Sequence, residues 1–191
     1  MKHAPSLIIA LGASLMPPLA QAHTGNLATG LLAGLEHPLT GLDHLAALVL
    51  SGLLIGRLVT GKRRGLAGLV CALALGAAGG MLLGAQASAE SLILLSLPVL
   101  FGFQWIRHTG QLKMAVTVMG LFMVAHGWAH GAEMQGSAQG FMAGFLLTSA
   151  LVAGASCWFS TIIRAHFSRA DKTSHRVAQG DLQETARSHL A

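Results

Sequence analysis

Two histidines and an aspartate fall within one eight-residue stretch, HPLTGLDH, from His37 to His44. A second stretch, AHGWAHGAEM, sets His126, His130 and Glu133 at i, i+4 and i+7, a spacing that shares one face of a helix. Neutral imidazole is a good ligand for nickel, copper, zinc and cobalt, and a carboxylate adds charge that helps hold a divalent cation. An i, i+4 histidine pair can chelate a single ion. The donor set does not suit calcium or magnesium, which take oxygen ligands. It does not suit Cu(I) either, because thiols and thioethers are not gathered with the histidines. Met123 and Met134 lie nearby and read as filler.

The spacing within HPLTGLDH carries a condition. On a straight helix His37 and His44 share a face but stand about 10.5 Å apart at a rise of 1.5 Å per residue. One ion cannot be held by both unless the helix is broken. Pro38 and Gly41 lie between them, and these are residue types at which helices bend or stop. The stretch therefore predicts a discontinuity, a device tolerated in a membrane where it lines a cavity and used to build transporter sites.

A membrane is what the rest of the chain demands. Of 191 residues, 53% are hydrophobic and only 10% are charged, with mean hydropathy +0.61. A soluble domain carries about a quarter charged residues, so this composition cannot cover a globular surface with polar groups. The 24 glycines fit closely packed membrane helices. The net charge of +5 arises from short basic clusters between apolar runs and in the C-terminal segment, which argues for solvated loops rather than nucleic acid. Cys71 and Cys157 fall in separate apolar runs without a CxxC, so neither a redox pair nor a zinc site is indicated.

The first 22 residues read as a cleavable signal peptide. Lys2 gives the positive start, Leu7 to Met16 the apolar stretch, and Ala20-Gln21-Ala22 the small-x-small site. About five apolar spans of near-crossing length follow: 39–58, preceded by a shorter piece at 27–35, then 66–85, 87–106, 112–130 and 138–163. The expected organisation is thus a leader over 1–22, an all-α bundle over 23–163 with its first helix broken near the Pro/Gly motif, and a polar tail over 164–191, frayed or forming a short surface helix.

Lys62, Arg63 and Arg64, then Arg107 and Lys113, then Arg164, Arg169, Lys172 and Arg176 all fall on one side of such a bundle. The positive-inside rule makes that side cytoplasmic. The secretory start places the N-terminus in the periplasm, so the expected location is the bacterial inner membrane, crossed several times. On this topology His37, Asp43, His44, Glu90, His126, His130 and Glu133 all map to the outer half. Ionisable groups within a membrane are costly and mark ion or substrate paths. A single intramembrane histidine can simply hydrogen-bond a neighbouring helix; seven ionisable residues at one level call for a site. His108, beside Arg107, reads as a solvated loop side chain, and His23 as part of a flexible terminus.

With these motifs, the chain resembles the HupE/UreJ family of membrane proteins over about residues 20–160. HPLTGLDH fits the family's H-x5-D-H motif at His37, Asp43 and His44, and HGWAHGAEM fits its second segment at His126, His130 and Glu133, with Glu90 as the acidic residue before the third span. The resemblance implies a secondary permease for Ni²⁺, or Co²⁺, that supplies metal for the maturation of NiFe hydrogenase or urease. It implies a transported ion and no prosthetic group, no enzyme activity, and as partners a divalent transition metal and the lipid bilayer. These motifs do not extend the resemblance to the C-terminal tail.

Three rivals share features of this reading. An accessory protein that passes periplasmic metal on without transporting it would use every one of the same ligands. A membrane enzyme or haem-bearing electron-transfer subunit would place paired histidines on facing helices, but here they gather at one rim. A proton channel could use His and Asp as a relay.

Overall fold

The computed structural model describes residues 30–58, 60–132, 134 and 137–188. The expected leader, His23 and Glu133 lie outside the described residues. Within them the chain is all helical, with six helices: α1 (Leu31–Thr40), α2 (Leu42–Gly56), α3 (Lys62–Leu83), α4 (Ala87–Phe103), α5 (Thr109–Ala132) and α6 (Ala138–Ser188).

Among the described residues, three helices are long and apolar enough to cross a membrane: α3, α5 and the part of α6 over Ala138–Phe167. The pair α1 and α2 passes the same test jointly but is bent by 80°. Helix α4 is apolar but only 17 residues long, about 25 Å at the helical rise against a hydrocarbon core of about 30 Å. The five expected spans thus resolve into three full-length helices, one broken pair and one short helix.

The break falls at Gly41, not at Pro38. Pro38 is carried within the last turn of α1, where Thr40 Oγ1 donates to the His37 carbonyl at 3.1 Å. Gly41 then adopts φ −86°, ψ 108°, an extended conformation, and its carbonyl accepts from Leu45 N–H as α2 begins. A Cβ at Gly41 would stand 3.2 Å from Asp43 Oδ1 and 3.3 Å from the His44 ring. The glycine therefore lets the chain turn tightly against the two side chains that follow it.

Glycine also sets how closely the helices approach. A Cβ at Gly76 or Gly80 on α3 would run into the backbone of α5 at Val124 and Trp128, and one at Gly127 or Gly131 on α5 would run into α3 at Leu73 and Ala77. The two backbones are in direct contact, which is how membrane helices gain dispersion energy where lipid offers no hydrophobic drive. This contact also fixes the rotation of α5. With Gly127 and Gly131 against α3, His126 and His130 point instead toward α1, α2 and α4. Gly34 plays the same part between α1 and α6, where a Cβ would meet the Phe141 backbone.

Outward faces are apolar: Leu75, Leu82, Leu121, Leu151 and Trp158 are exposed on the flanks of α3, α5 and α6. A water-soluble bundle would bury such residues and expose charges. At the far end, α6 departs from expectation. It runs without interruption from the apolar span to Ser188, so the polar segment continues the helix rather than forming a separate piece. No proline occurs after residue 163 to stop it.

Candidate metal centre

The 80° bend brings His37, at the end of α1, back over His44, in the first turn of α2. Helix α5 inserts His130 between them. The His37 and His130 rings lie 4.5 Å apart, His44 and His130 4.2 Å, and His37 and His44 6.2 Å, each pair edge to face. One ring nitrogen from each of the three lies within 4.8 Å of the others. Ligands that share one ion at about 2.1 Å are at most about 4.2 Å apart, so the trio needs to draw in by roughly half an ångström to chelate. His37 Nε2 and His130 Nδ1 meet at 2.7 Å. One of these nitrogens must be bare of a proton to accept from the other, and an ion that enters the cluster takes that lone pair by displacing the hydrogen bond.

Asp43 flanks the trio. Its Oδ1 accepts from the His44 backbone N–H at 2.9 Å and lies 2.9 Å from His44 Nδ1. A carboxylate on one imidazole nitrogen directs the other nitrogen toward a metal and increases its basicity. The aspartate also sits in the first turn of α2, where the helix dipole favours negative charge. Its geometry fits an orienting and charge-balancing group.

His126 lies one turn deeper. Its ring is 5.4 Å from that of His44, and its Nε2 meets Ser96 Oγ of α4 at 3.0 Å, while Ser96 donates to the Ile93 carbonyl. His126 is thus adjacent to the three-histidine cluster but not within it. Glu90 is exposed in the first turn of α4 and also outside the cluster. Of the residues singled out by sequence, the structure gathers His37, His44 and His130, with Asp43 beside them and His126 beneath.

His44 and His130 are 5% and 1% exposed, so their imidazoles are withdrawn from lipid and water. Phe141 and Phe145 of α6 wall one side, against His37 and His130 respectively. Under the cluster, a small cavity is lined by His44, His126, His130, Met123, Phe145 and Ser149 among others. It has room for about one water-sized occupant. The fully buried Ser149 Oγ has no hydrogen-bond partner among the described residues. Further down, Ser51 Oγ meets Met123 Sδ at 4.0 Å, and Ser160 Oγ donates to the Leu53 carbonyl. Ser96, Ser149 and the two phenylalanines were not legible as site residues. A serine in a run of leucines was the available signal, and it occurs at several places in this chain.

A bent helix pair and three further crossing helices, with buried histidines converging from separate elements, define a multi-pass helical membrane protein with a transition-metal donor set. Its family follows from comparison with known proteins. Residues 11–180 match the HupE / UreJ protein family, and the chain is 30% identical over 176 residues, 89% of each chain, to Protein HupE of Rhizobium leguminosarum bv. viciae. The chain belongs to the HupE/UreJ family. No solved structure matches it significantly.

Proposed function

We propose that this protein is a secondary permease that takes up Ni²⁺, or Co²⁺, from the periplasm across the bacterial inner membrane and so serves the maturation of NiFe hydrogenase or urease. The observation that carries the reading is the convergence of His37, His44 and His130 from three helices, with ligand nitrogens within 4.8 Å, at a bend in the first membrane span. Three imidazoles suit borderline divalent metals, and family membership narrows these to nickel and cobalt. The basic residues at the opposite ends of the helices fit a cytoplasmic face, which leaves the histidine end facing the periplasm.

On this reading a hydrated ion arrives at the rim, where Glu90 adds negative charge. It exchanges water for the nitrogens of His37, His130 and His44. Asp43 offsets part of its charge in a setting where imidazoles alone would leave the cation uncompensated. His126 and the Ser149 hydroxyl are the next polar groups inward. Passage beyond Met123 requires helices to move apart, because Leu54, Ile55 and Met119 fill the core there and are fully buried.

The test is ⁶³Ni uptake in cells that lack their own nickel importers, with wild type, His37→Ala and His44→Ala at matched membrane levels. Uptake with wild type that vanishes in both variants is expected. Metal binding without uptake would turn the assignment to an accessory protein that hands metal on. Equal uptake in all three would remove the histidines from the path.

A further inference from the structure

Far from the histidines, a second cavity of about 430 Å³ opens at the opposite end of the bundle. Three arginines line it, each from a different element: Arg57 just past α2, Arg107 in the α4–α5 connection and Arg164 on α6. Gln104, Trp105 and Thr109 complete its polar and aromatic wall. Among the residues whose side chains are described, no carboxylate lines the cavity. Among the residues whose side chains are described, the acidic ones are Glu36, Asp43 and Glu90, and all belong to the histidine end.

Arg107 and Arg164 are exposed, and both border the cavity beside the half-buried Arg57. Arg57 is fixed in place: Nη1 donates to the Phe103 and Gln104 carbonyls at 2.9 and 2.7 Å, and Nη2 donates to the Ile106 carbonyl. It caps the end of α4, and its position cannot relax away from its neighbours. Burial, followed by the charges of Arg164 and Arg107, pulls the Arg57 guanidinium below the ordinary arginine range. Like charges held around one cavity without a counter-charge favour an anion between them. Guanidinium groups are especially suited to phosphate, which they bind through paired N–H donors.

The surroundings identify the source of the anion. Trp105 is 62% exposed and packs edge to face on Phe101, itself 51% exposed, at a ring separation of 4.7 Å. Met114, near the start of α5, is 62% exposed. Tryptophan favours the headgroup level of a membrane, and Phe101, packed on Trp105, extends an apolar surface from the cavity toward the flank of the bundle. A phosphate in the cavity with acyl chains along that flank satisfies both surfaces together. Basic pockets between membrane helices on the cytoplasmic side are known places for anionic headgroups.

We propose that this three-arginine cavity binds the phosphate group of an anionic phospholipid. The inference stands apart from metal transport, since it uses none of the histidine-end residues.

Native mass spectrometry of the full chain, released from neutral detergent in the presence of phosphatidylglycerol or phosphatidylcholine, tests it. Arg57 is left intact because it holds the end of α4; the variant is Arg107→Gln/Arg164→Gln, with Arg107→Lys as the charge-retaining control. Wild type is expected to retain phosphatidylglycerol over phosphatidylcholine. Each lost guanidinium is expected to weaken retention about fivefold, about 25-fold for the double variant, and Arg107→Lys is expected to keep most of the lipid. Equal retention of the two lipids, or equal retention by wild type and double variant, would overturn the proposal. Displacement of the lipid by millimolar inorganic phosphate would identify a soluble phosphate as the occupant and overturn the lipid assignment.

Discussion

The two ends of this bundle handle buried polarity in opposite ways. At the histidine end, side chains that can be neutral are withdrawn from solvent and packed ring against ring, with one carboxylate beside them. At the arginine end, permanently charged side chains surround an open cavity, and backbone carbonyls at the end of α4 hold the innermost of them. Imidazole can shed its proton and present a lone pair, so it can be buried and still bind a cation. Guanidinium cannot shed its proton, so it stays where water, carbonyls or an anion can meet it. The proposed cation site and the proposed anion site thus stand at opposite ends of the same helices.

This contrast breaks most sharply at the histidines. His130→Ala removes a ligand from the centre of the trio, and metal affinity is expected to fall about 100-fold, the upper range for disturbed metal sites. Equilibrium dialysis of purified protein against ⁶³Ni reads this directly. Asp43→Asn keeps the shape and removes the charge beside His44 Nδ1. About a tenfold loss of affinity is expected, as for other partners of ligating histidines, with the helical content by circular dichroism unchanged.

The arginine end responds in stability rather than in metal binding. Arg57→Gln strips the carbonyls of Phe103, Gln104 and Ile106 of a charged donor. Hydrogen bonds to charged groups are worth about 1.5–3 kcal/mol, so a lower thermal midpoint in detergent is expected, with Ni²⁺ affinity retained. A parallel loss of affinity would mean that the two ends are coupled. The smallest effect is expected at Ser96→Ala. It removes a neighbour of His126 at 3.0 Å but no member of the trio, and affinity measured by the same dialysis is expected to stay within about threefold, less than the range for direct partners of a ligating histidine.

Much of this was legible in the sequence. Apolar runs and sparse charge marked the helices, because a membrane leaves so few alternatives. HPLTGLDH marked a break because a straight helix holds His37 and His44 too far apart for one ion. Its location was less legible: proline is the stronger helix breaker in general, yet Pro38 in a last turn costs little, and Gly41 makes the turn. The i, i+4 spacing of His126 and His130 suggested a pair acting together. Instead His130 joins the trio while His126 pairs with Ser96, since a third helix, α4, occupies the space beside it. Periodicity reports which residues share a face and is silent on which neighbour that face meets. The arginine cavity was hidden for the same reason. Arg57, Arg107 and Arg164 are far apart in sequence; Arg107 and Arg164 read as positive-inside residues, while Arg57 falls within the expected first span.

The most direct test of the central claim is ⁶³Ni²⁺ accumulation by the purified full chain in sealed proteoliposomes, compared with His44→Ala reconstituted at the same density. Time-dependent accumulation is expected with wild type, and none above empty vesicles with the variant. Binding to the outer surface without accumulation inside, or equal accumulation by both proteins, would contradict it.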